Sequence, residues 1–351
     1  MGGSLLLISI QAFLQIWWAY RPYRKLKFAP VKEQPFVSIH IPTCNEPAEM
    51  VIATIKSCLN IDYINYEIIV LDNNTQDKQI WKPVESFCRN YSRVKFEHIE
   101  KMKGYKAGAL DKCISLSSSR AKYFFVVDAD YLLKANSLKK AVGFAEAEKA
   151  AMVQFPQQYY NGMRIPGLEE EYRHYFKIFA SGSNHGSSTL PTGTLSLYCK
   201  KALLKVGGWQ SHSITEDAEM GLKIRQHNLK TVFSPVILGE GLMPSSMPDI
   251  WKQRERWSYG NAQCLTKIFK LEAPFRIKLS IIIQLSAWIN LTGLPLLILF
   301  ASMVSSFFFQ GYSFDLFYLL SVCNLVVFYL GKFILMAISS DFEPRAYWKS
   351  F

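Results

Sequence analysis

Residues 123–130 read YFFVVDAD, a run of aromatic and β-branched side chains that leads straight into two carboxylates, Asp128 and Asp130. The run reads as a strand, and the pair of acids stands where the chain leaves it. Working outward, the same rhythm recurs upstream. Phe36 to Pro42 (FVSIHIP) reads as a strand followed by a helical pattern from Ala48 to Leu59, with Asn45 positioned to cap it. Glu67 to Asp72 (EIIVLD) is a second strand, Val94 to Ile99 a third, and helical patterns fall near Ile80 to Asn90 and Lys106 to Ser115. Strands alternating with helices predict a mainly parallel sheet covered by helices. In such sheets ligands collect beyond the carboxyl ends of the strands, which is where Asp72 and Asp128 both fall.

Charge divides the chain into regions. Half of the 351 residues are hydrophobic, yet the charged ones concentrate between Arg21 and Lys278, enough chain for one large or two ordinary domains. Ser4 to Tyr20 and Leu279 to Phe309 carry no charge, and Leu316 to Ser339 carries only Lys332. These runs predict a transmembrane helix at 1–22, a transmembrane or interfacial region at 276–310 and a transmembrane helix at 315–340, followed by a tail at 341–351. The first run lacks a basic leader and is followed by Arg21, Arg24, Lys25 and Lys27, which fits a stop-transfer segment better than a cleaved signal. Lys267, Lys270, Arg276 and Lys278 mark the second boundary, whereas the loop at Gly311 has no basic residue. The expected topology is an inner or plasma membrane protein with an outside amino terminus and a cytosolic domain at 23–265. Gly293 and Pro295 offer an alternative, in which the long run splits into an interfacial helix and a span.

The net charge of +12 raises the question of nucleic acid, but no module interleaving aromatic and basic residues is present. Juxtamembrane Lys and Arg facing anionic lipid are the favoured source of part of this excess, with a diphosphate-bearing substrate a further expected one. The cysteines, Cys44 to Cys323, show no close paired spacing, and the six histidines show no metal-ligand spacing, so neither a zinc site nor a disulfide framework is expected.

Each candidate site residue has an ordinary reading beside the chemical one. Asp72 opens Asp-Asn-Asn-Thr, a good turn. Asp128-x-Asp130 is a common strand-end turn, and also a pair able to hold a hard divalent cation that takes further oxygens from a diphosphate. Lys106 begins a helix after Gly104, where taken alone it reads as a solvated lysine, and beside the neighbouring motifs as a support for phosphate together with free backbone amides. Thr215 is placed to cap a helix, and Glu216 and Asp217 follow it in the first turn, an ordinary place for acids. Glycosyl transfer with inversion, however, needs one carboxylate base to take the proton of an acceptor hydroxyl. Gln253 to Trp257 (QRERW) suits an interfacial helix with snorkelling arginines, and also an arginine grip on phosphate beside an indole platform for a sugar.

Taken in order, D, DxD, TED and QxxRW resemble the signature of membrane-embedded family 2 glycosyltransferases, the group of cellulose, hyaluronan and chitin synthases. Pro42 to Glu46 (PTCNE), Gly104 to Leu110 (GYKAGAL), Val153 to Gln158 (VQFPQQ) and Gly193-Thr194 before Lys200-Lys201 add to the likeness, which covers about residues 36 to 265. Asp-Asn-Asn-Thr, the stretch from Trp81 to Glu85 and Gly239 to Pro244 (GEGLMP) look most like bacterial cellulose-synthase-like β-glucan synthases.

The resemblance implies a GT-A fold, an α/β Rossmann-like mixed sheet, with an interfacial helix near 245–270 and transmembrane helices. It implies Glu46 and Asp72 near the uridine, Lys106 near the diphosphate, and Asp128 and Asp130 at the nucleotide and a Mg²⁺ or Mn²⁺ ion. Asp217 would be the base, with Glu216 and Asp130 beside it in the catalytic set, and Gln253, Arg256 and Trp257 would form the acceptor and diphosphate side. Asn73, Cys44 and the Lys200-Lys201 pair depart from the usual residues of the group. No segment resembles a gating loop, so the chain is expected to be a fragment, or its path to be completed by a second copy or an accessory subunit.

Three functions follow. The first is a processive inverting transferase that makes a β-linked polysaccharide from UDP-glucose or a close analogue, acts on a growing glycan and passes it through the membrane. The second is transfer of one sugar to a lipid acceptor, against which QxxRW speaks. The third is a non-catalytic scaffold that binds a nucleotide or glycan, against which the intact acids speak.

Overall fold

Every position of Val37–Thr43 (β1) and Tyr66–Asn73 (β2) is buried, because both strands lie inside a sheet with helices on its faces. The computed structural model describes residues 24–31, 33–161, 166–209 and 214–288, with isolated residues at Trp17 and between Val304 and Ala337. The expected spans at 1–22 and 315–340, the tail at 341–351 and most of 276–310 lie outside the described residues. Among those described, no helix is long and apolar enough to cross a membrane.

The sheet forms as the alternation predicts. Helix α1 (Ala48–Leu59) joins β1 to β2, α2 (Lys78–Cys88) leads to β3 (Val94–Ile99), and α3 (Tyr105–Leu116) leads to β4 (Tyr123–Val126). These four strands are parallel, with Thr43 opposite Asp72 and Asp72 opposite His98. After β4 come a two-residue β5 (Leu132–Leu133), α4 (Ser137–Glu148), β6 (Met152–Gln154) and β7 (Gln158–Tyr159). Helix α5 (Pro166–His174) runs into a π-helical turn, Tyr175–Ala180. β8 (Ser196–Cys199) is antiparallel to both β4 and β6, so the sheet is mixed and has the order β3-β2-β1-β4-β8-β6-β9. Helices α6 (Lys200–Lys205) and α7 (Glu216–Gln226), then β9 (Thr231–Phe233), complete it. β10 (Gly239–Gly241) pairs with β5 and β7 in a small second sheet.

Two long elements close the described domain. Helix α8, Met247–Ile268, occupies the stretch near 245–270, and the Ser246 hydroxyl at its start accepts from the Asp249 amide at 3.3 Å. Helix α9 (Phe275–Leu285) buries Ile281 and Leu285 against Leu190, Leu222 and Cys264, so this described part of the second apolar region packs on the catalytic domain.

Two expected caps are not made. Asn45 does not cap α1; the cap position is Pro47, and the Asn45 amide, at φ 57°, donates to Thr75 Oγ1 at 2.8 Å. The left-handed bend at Asn45 turns its side chain away from the helix start, leaving Pro47 at the cap position. Thr215 precedes α7 but makes no side-chain cap, because it packs against Gly260 of α8, where an added Cβ would lie 2.5 Å from its methyl group. The seven cysteines are free.

Candidate active site

At the carboxyl end of β2, Asp72 is 3% exposed and its carboxylate is fully occupied. Oδ1 accepts from Thr43 at 3.0 Å and from Thr75 at 2.7 Å, and Oδ2 is 2.7 Å from Nδ1 of His98, one strand away. The His98 ring stacks on Trp81 at 4.1 Å. Asp72 thus ties the loops after β1 and β2 together, with Thr75 also holding the Asn45 amide. Asp72 and Glu46 do not line the main cavity, although Glu46 feels it: burial and the charge of Asp128 push its carboxyl above the ordinary value.

The main cavity, about 690 Å³, gathers Lys106, Asp128, Asp130, Glu216, Asp217, Gln253, Arg256 and Trp257. They arrive from four parts of the fold. Asp128 and Asp130 follow β4, and Lys106 stands in the first turn of α3, entered through Gly104 at φ 91°. Glu216 and Asp217 start α7, and Gln253 to Trp257 lie on α8. Lys106 is ion-paired to Asp128, and its Nζ donates to the Gly193 carbonyl at 3.0 Å. Gly193 has φ +84°, and a Cβ there would come within 3.2 Å of Asp217 Oδ2 and 3.5 Å of Lys106 Nζ. Only a glycine lets the backbone pass between these two charges.

Charge crowding sets the protonation. Burial, then the Asp128 and Glu46 charges, push Asp130 up to about 7. Burial and neighbouring Asp217 push Glu216 up to about 7 against the opposing charge of Lys106. Asp217 is raised by burial while its bond from the Ala218 amide, 2.8 Å, works the other way. Burial opposes the charge on Lys106, but Asp128, Glu216 and Asp217 outweigh it and hold the ammonium above its ordinary range. Such an acid set calls for a cation. Among the described residues, no group of three or more His, Cys, Asp or Glu is arranged for a metal. The Asp128–Asp130 pair could supply two carboxylates to a hard divalent ion whose remaining ligands come from outside the protein.

The far wall is aromatic. Gln253 Oε1 accepts from Tyr172 at 2.8 Å, and the Arg254 guanidinium lies 4.0 Å from the Trp288 ring, 4.9 Å from Tyr172 and 5.1 Å from Trp257. Arg254 also pairs with Glu171 at 2.8 Å. Trp257, beside Asp217, faces both the main cavity and a smaller one of about 50 Å³ lined by Tyr172, Tyr175 and Trp288.

Glycosyl transferase family group 2, compared as a sequence profile, matches residues 123–337, and glycosyl transferase family 2 matches residues 38–207. The chain is a family 2 glycosyltransferase. The transferase is 25% identical over 277 residues to a cellulose synthase catalytic subunit (UDP-forming) of Xanthomonas axonopodis pv. citri, covering 75% of this chain and 37% of that one. The chain thus spans just over a third of the cellulose synthase subunits it matches. It is 25% identical over 361 residues to a poly-β-1,6-N-acetyl-D-glucosamine synthase of Staphylococcus epidermidis, covering 97% of this chain and 86% of the relative. In structure it resembles a mannosyltransferase of Pyrobaculum calidifontis solved with GDP-Man and Mn²⁺, with a TM-score of 0.61 at 17% identity over 93% of this chain and 94% of that one. That likeness establishes the shared GT-A-like fold.

Several residues of the transferase's site are absent from the set read off the sequence. Gln157 and Tyr159 line the main cavity, and Gln154 and Thr194 hold its loop, although VQFPQQ and Gly193-Thr194 had marked both stretches. Tyr172 and Trp288 lie in no motif, and their role comes only from packing on α8.

Proposed function

We propose that this transferase is an inverting, divalent-metal-dependent hexosyltransferase that builds a β-linked polysaccharide from a UDP-sugar, with UDP-glucose the favoured donor. The observation that carries the reading is the convergence of Asp128, Asp130, Lys106 and Asp217 with Arg256 and Trp257 in one cavity. Asp217 would take the proton of the acceptor hydroxyl as that oxygen attacks the anomeric carbon and the bond to the diphosphate breaks, releasing UDP. Its raised pKa in a buried setting suits a base that must hold a proton once received. Lys106 and Arg256 would bind the diphosphate, and Trp257 would carry the apolar face of the acceptor sugar. Mg²⁺ or Mn²⁺ held by Asp128 and Asp130 would offset charge on the leaving group. Glu46 and Asp72 would order the uridine side, Glu216 would hold Lys106 in register by its charge, and Gln253 would fix Tyr172 against α8.

A membrane setting with the catalytic domain in the cytosol is supported by the apolar runs and by Trp251, Phe269 and Phe275, which are 74%, 85% and 74% exposed beside Lys267, Lys270, Arg276 and Lys278. One observation favours a second donor: likeness to the poly-β-1,6-N-acetyl-D-glucosamine synthase extends over 97% of the chain, so UDP-GlcNAc is the competing reading.

UDP release by detergent-purified protein offered UDP-glucose, UDP-GlcNAc, UDP-galactose or GDP-mannose, with Mn²⁺ or with EDTA, tests this. Metal-dependent turnover of one UDP-sugar, lost by about 10²–10⁴-fold in Asp217→Asn with UDP affinity kept, is expected. Equal loss of binding and transfer in that variant would sink the base assignment.

A further inference from the structure

Gln154 ends β6, is fully buried, and its amide makes four hydrogen bonds. Nε2 donates to the carbonyls of Phe155 at 2.7 Å and Thr194 at 2.9 Å. Oε1 accepts from the Thr192 amide at 2.9 Å and the Ser196 hydroxyl at 2.5 Å. This uses the whole hydrogen-bonding capacity of a glutamine. An amide serving the sheet alone would pair within the strands. Here two bonds reach Thr192 and Thr194 on either side of Gly193, and Gln157 grips the same loop from the cavity side, donating to the Thr192 carbonyl at 2.9 Å.

The other polar groups of that loop face the reaction centre. The Gly193 carbonyl accepts from Lys106 at 3.0 Å, and Thr194 Oγ1 accepts from the Asp128 amide at 3.0 Å. Gly193 also packs beside Asp217 so closely that a Cβ would lie 3.2 Å from Oδ2. The loop thus touches the Asp128–Lys106 pair on one side and Asp217 on the other. Because the amide's bonds are buried, releasing the loop would leave several polar groups unpaired, so the loop has one stable position.

We propose that Gln154 is a positioning residue for glycosyl transfer, which through residues 192–194 fixes the spacing between Asp128 with Lys106 and Asp217. The inference rests on reading the main cavity as the transfer site. A misplacement of about 1 Å at such a junction lowers turnover by about 100-fold.

The test is a double-mutant cycle on the full chain in detergent, following UDP release from UDP-glucose and UDP-GlcNAc with Mn²⁺. Gln154→Met keeps volume and removes all four bonds, and Thr194→Val removes the acceptor for the Asp128 amide. Gln154→Met is expected to lower kcat by about 100-fold with donor KM changed far less, and the double variant to be little worse than the worse single one. Losses that multiply, or a lowered melting temperature with kcat unchanged, would overturn the proposal. If Gln154→Met does not fold, Gln154→Asn, which keeps the amide one methylene short, is put through the same cycle with the same criteria. Asp217→Asn is measured alongside. Full activity there means that the cavity is misread, whereas its loss with multiplying Gln154 and Thr194 effects means that only the positioning role is wrong.

Discussion

At the residue scale, Glu216 shows how the site stores instability. Its carboxyl is raised from 4.5 to about 7 by burial and by Asp217. Between those two values the unfolded chain has released this proton while the folded chain still holds it, so stability falls as pH rises through the window. The contribution is absent below about 4.5 and complete above about 7. Glu216→Gln should therefore melt at a higher temperature than the parent at pH 8, with the difference vanishing near pH 4.5. Thermal scans from pH 4.5 to 8 check this, and equal slopes for the two proteins would refute the assigned cause. Asp72 is the contrasting case. Two threonines and His98 occupy its oxygens, so it organises two loops where the cavity acids stand crowded and strained.

At the element scale, α8 is anchored by Arg254. The planar guanidinium lies over Trp288, Tyr172 and Trp257 while it pairs with Glu171. Arg254→Lys keeps the charge and can keep the ion pair but loses the flat stacking surface. A loss of about 1–2 kcal/mol in stability is expected, with a fall in kcat because Trp257 loses its support. An unchanged melting temperature would show the ion pair alone to be sufficient. Elements with a strong local pattern were legible in the sequence: β1 to β4, α1 to α3 and α8 fall within two or three residues of the expected bounds. β5, β7 and β10 were not, since strands of two or three residues carry no periodicity. The antiparallel insertion of β8 was hidden as well, because strand order is fixed by pairing between distant segments. Motif acids on short loops were readable. Gln154 was not, for its function lies in what its amide reaches across the fold, and Tyr172 and Trp288 meet only when α5 and the end of α9 dock on α8.

At the scale of the whole molecule, the charge balance of the chain and of its cavity are opposite. The chain carries +12, yet Asp128, Asp130, Glu216, Asp217 and Glu255 line the main cavity with only Lys106, Lys252 and Arg256 to oppose them, and one of these, Lys106, is already committed to Asp128. A diphosphate entering alone would meet these acids, and a divalent cation entering alone would find Asp128, one of its two proposed ligands, already paired with Lys106. Each partner relieves the difficulty of the other, so nucleotide and metal should bind as a unit. Mn²⁺ or UDP alone should scarcely raise the melting temperature, whereas the two together at about a hundredfold excess over Kd should add about 2.7 kcal/mol, removed by EDTA. Stabilisation by UDP that survives EDTA would take the metal out of the binding step and leave Lys106, Lys252 and Arg256 as the countercharges that admit the donor.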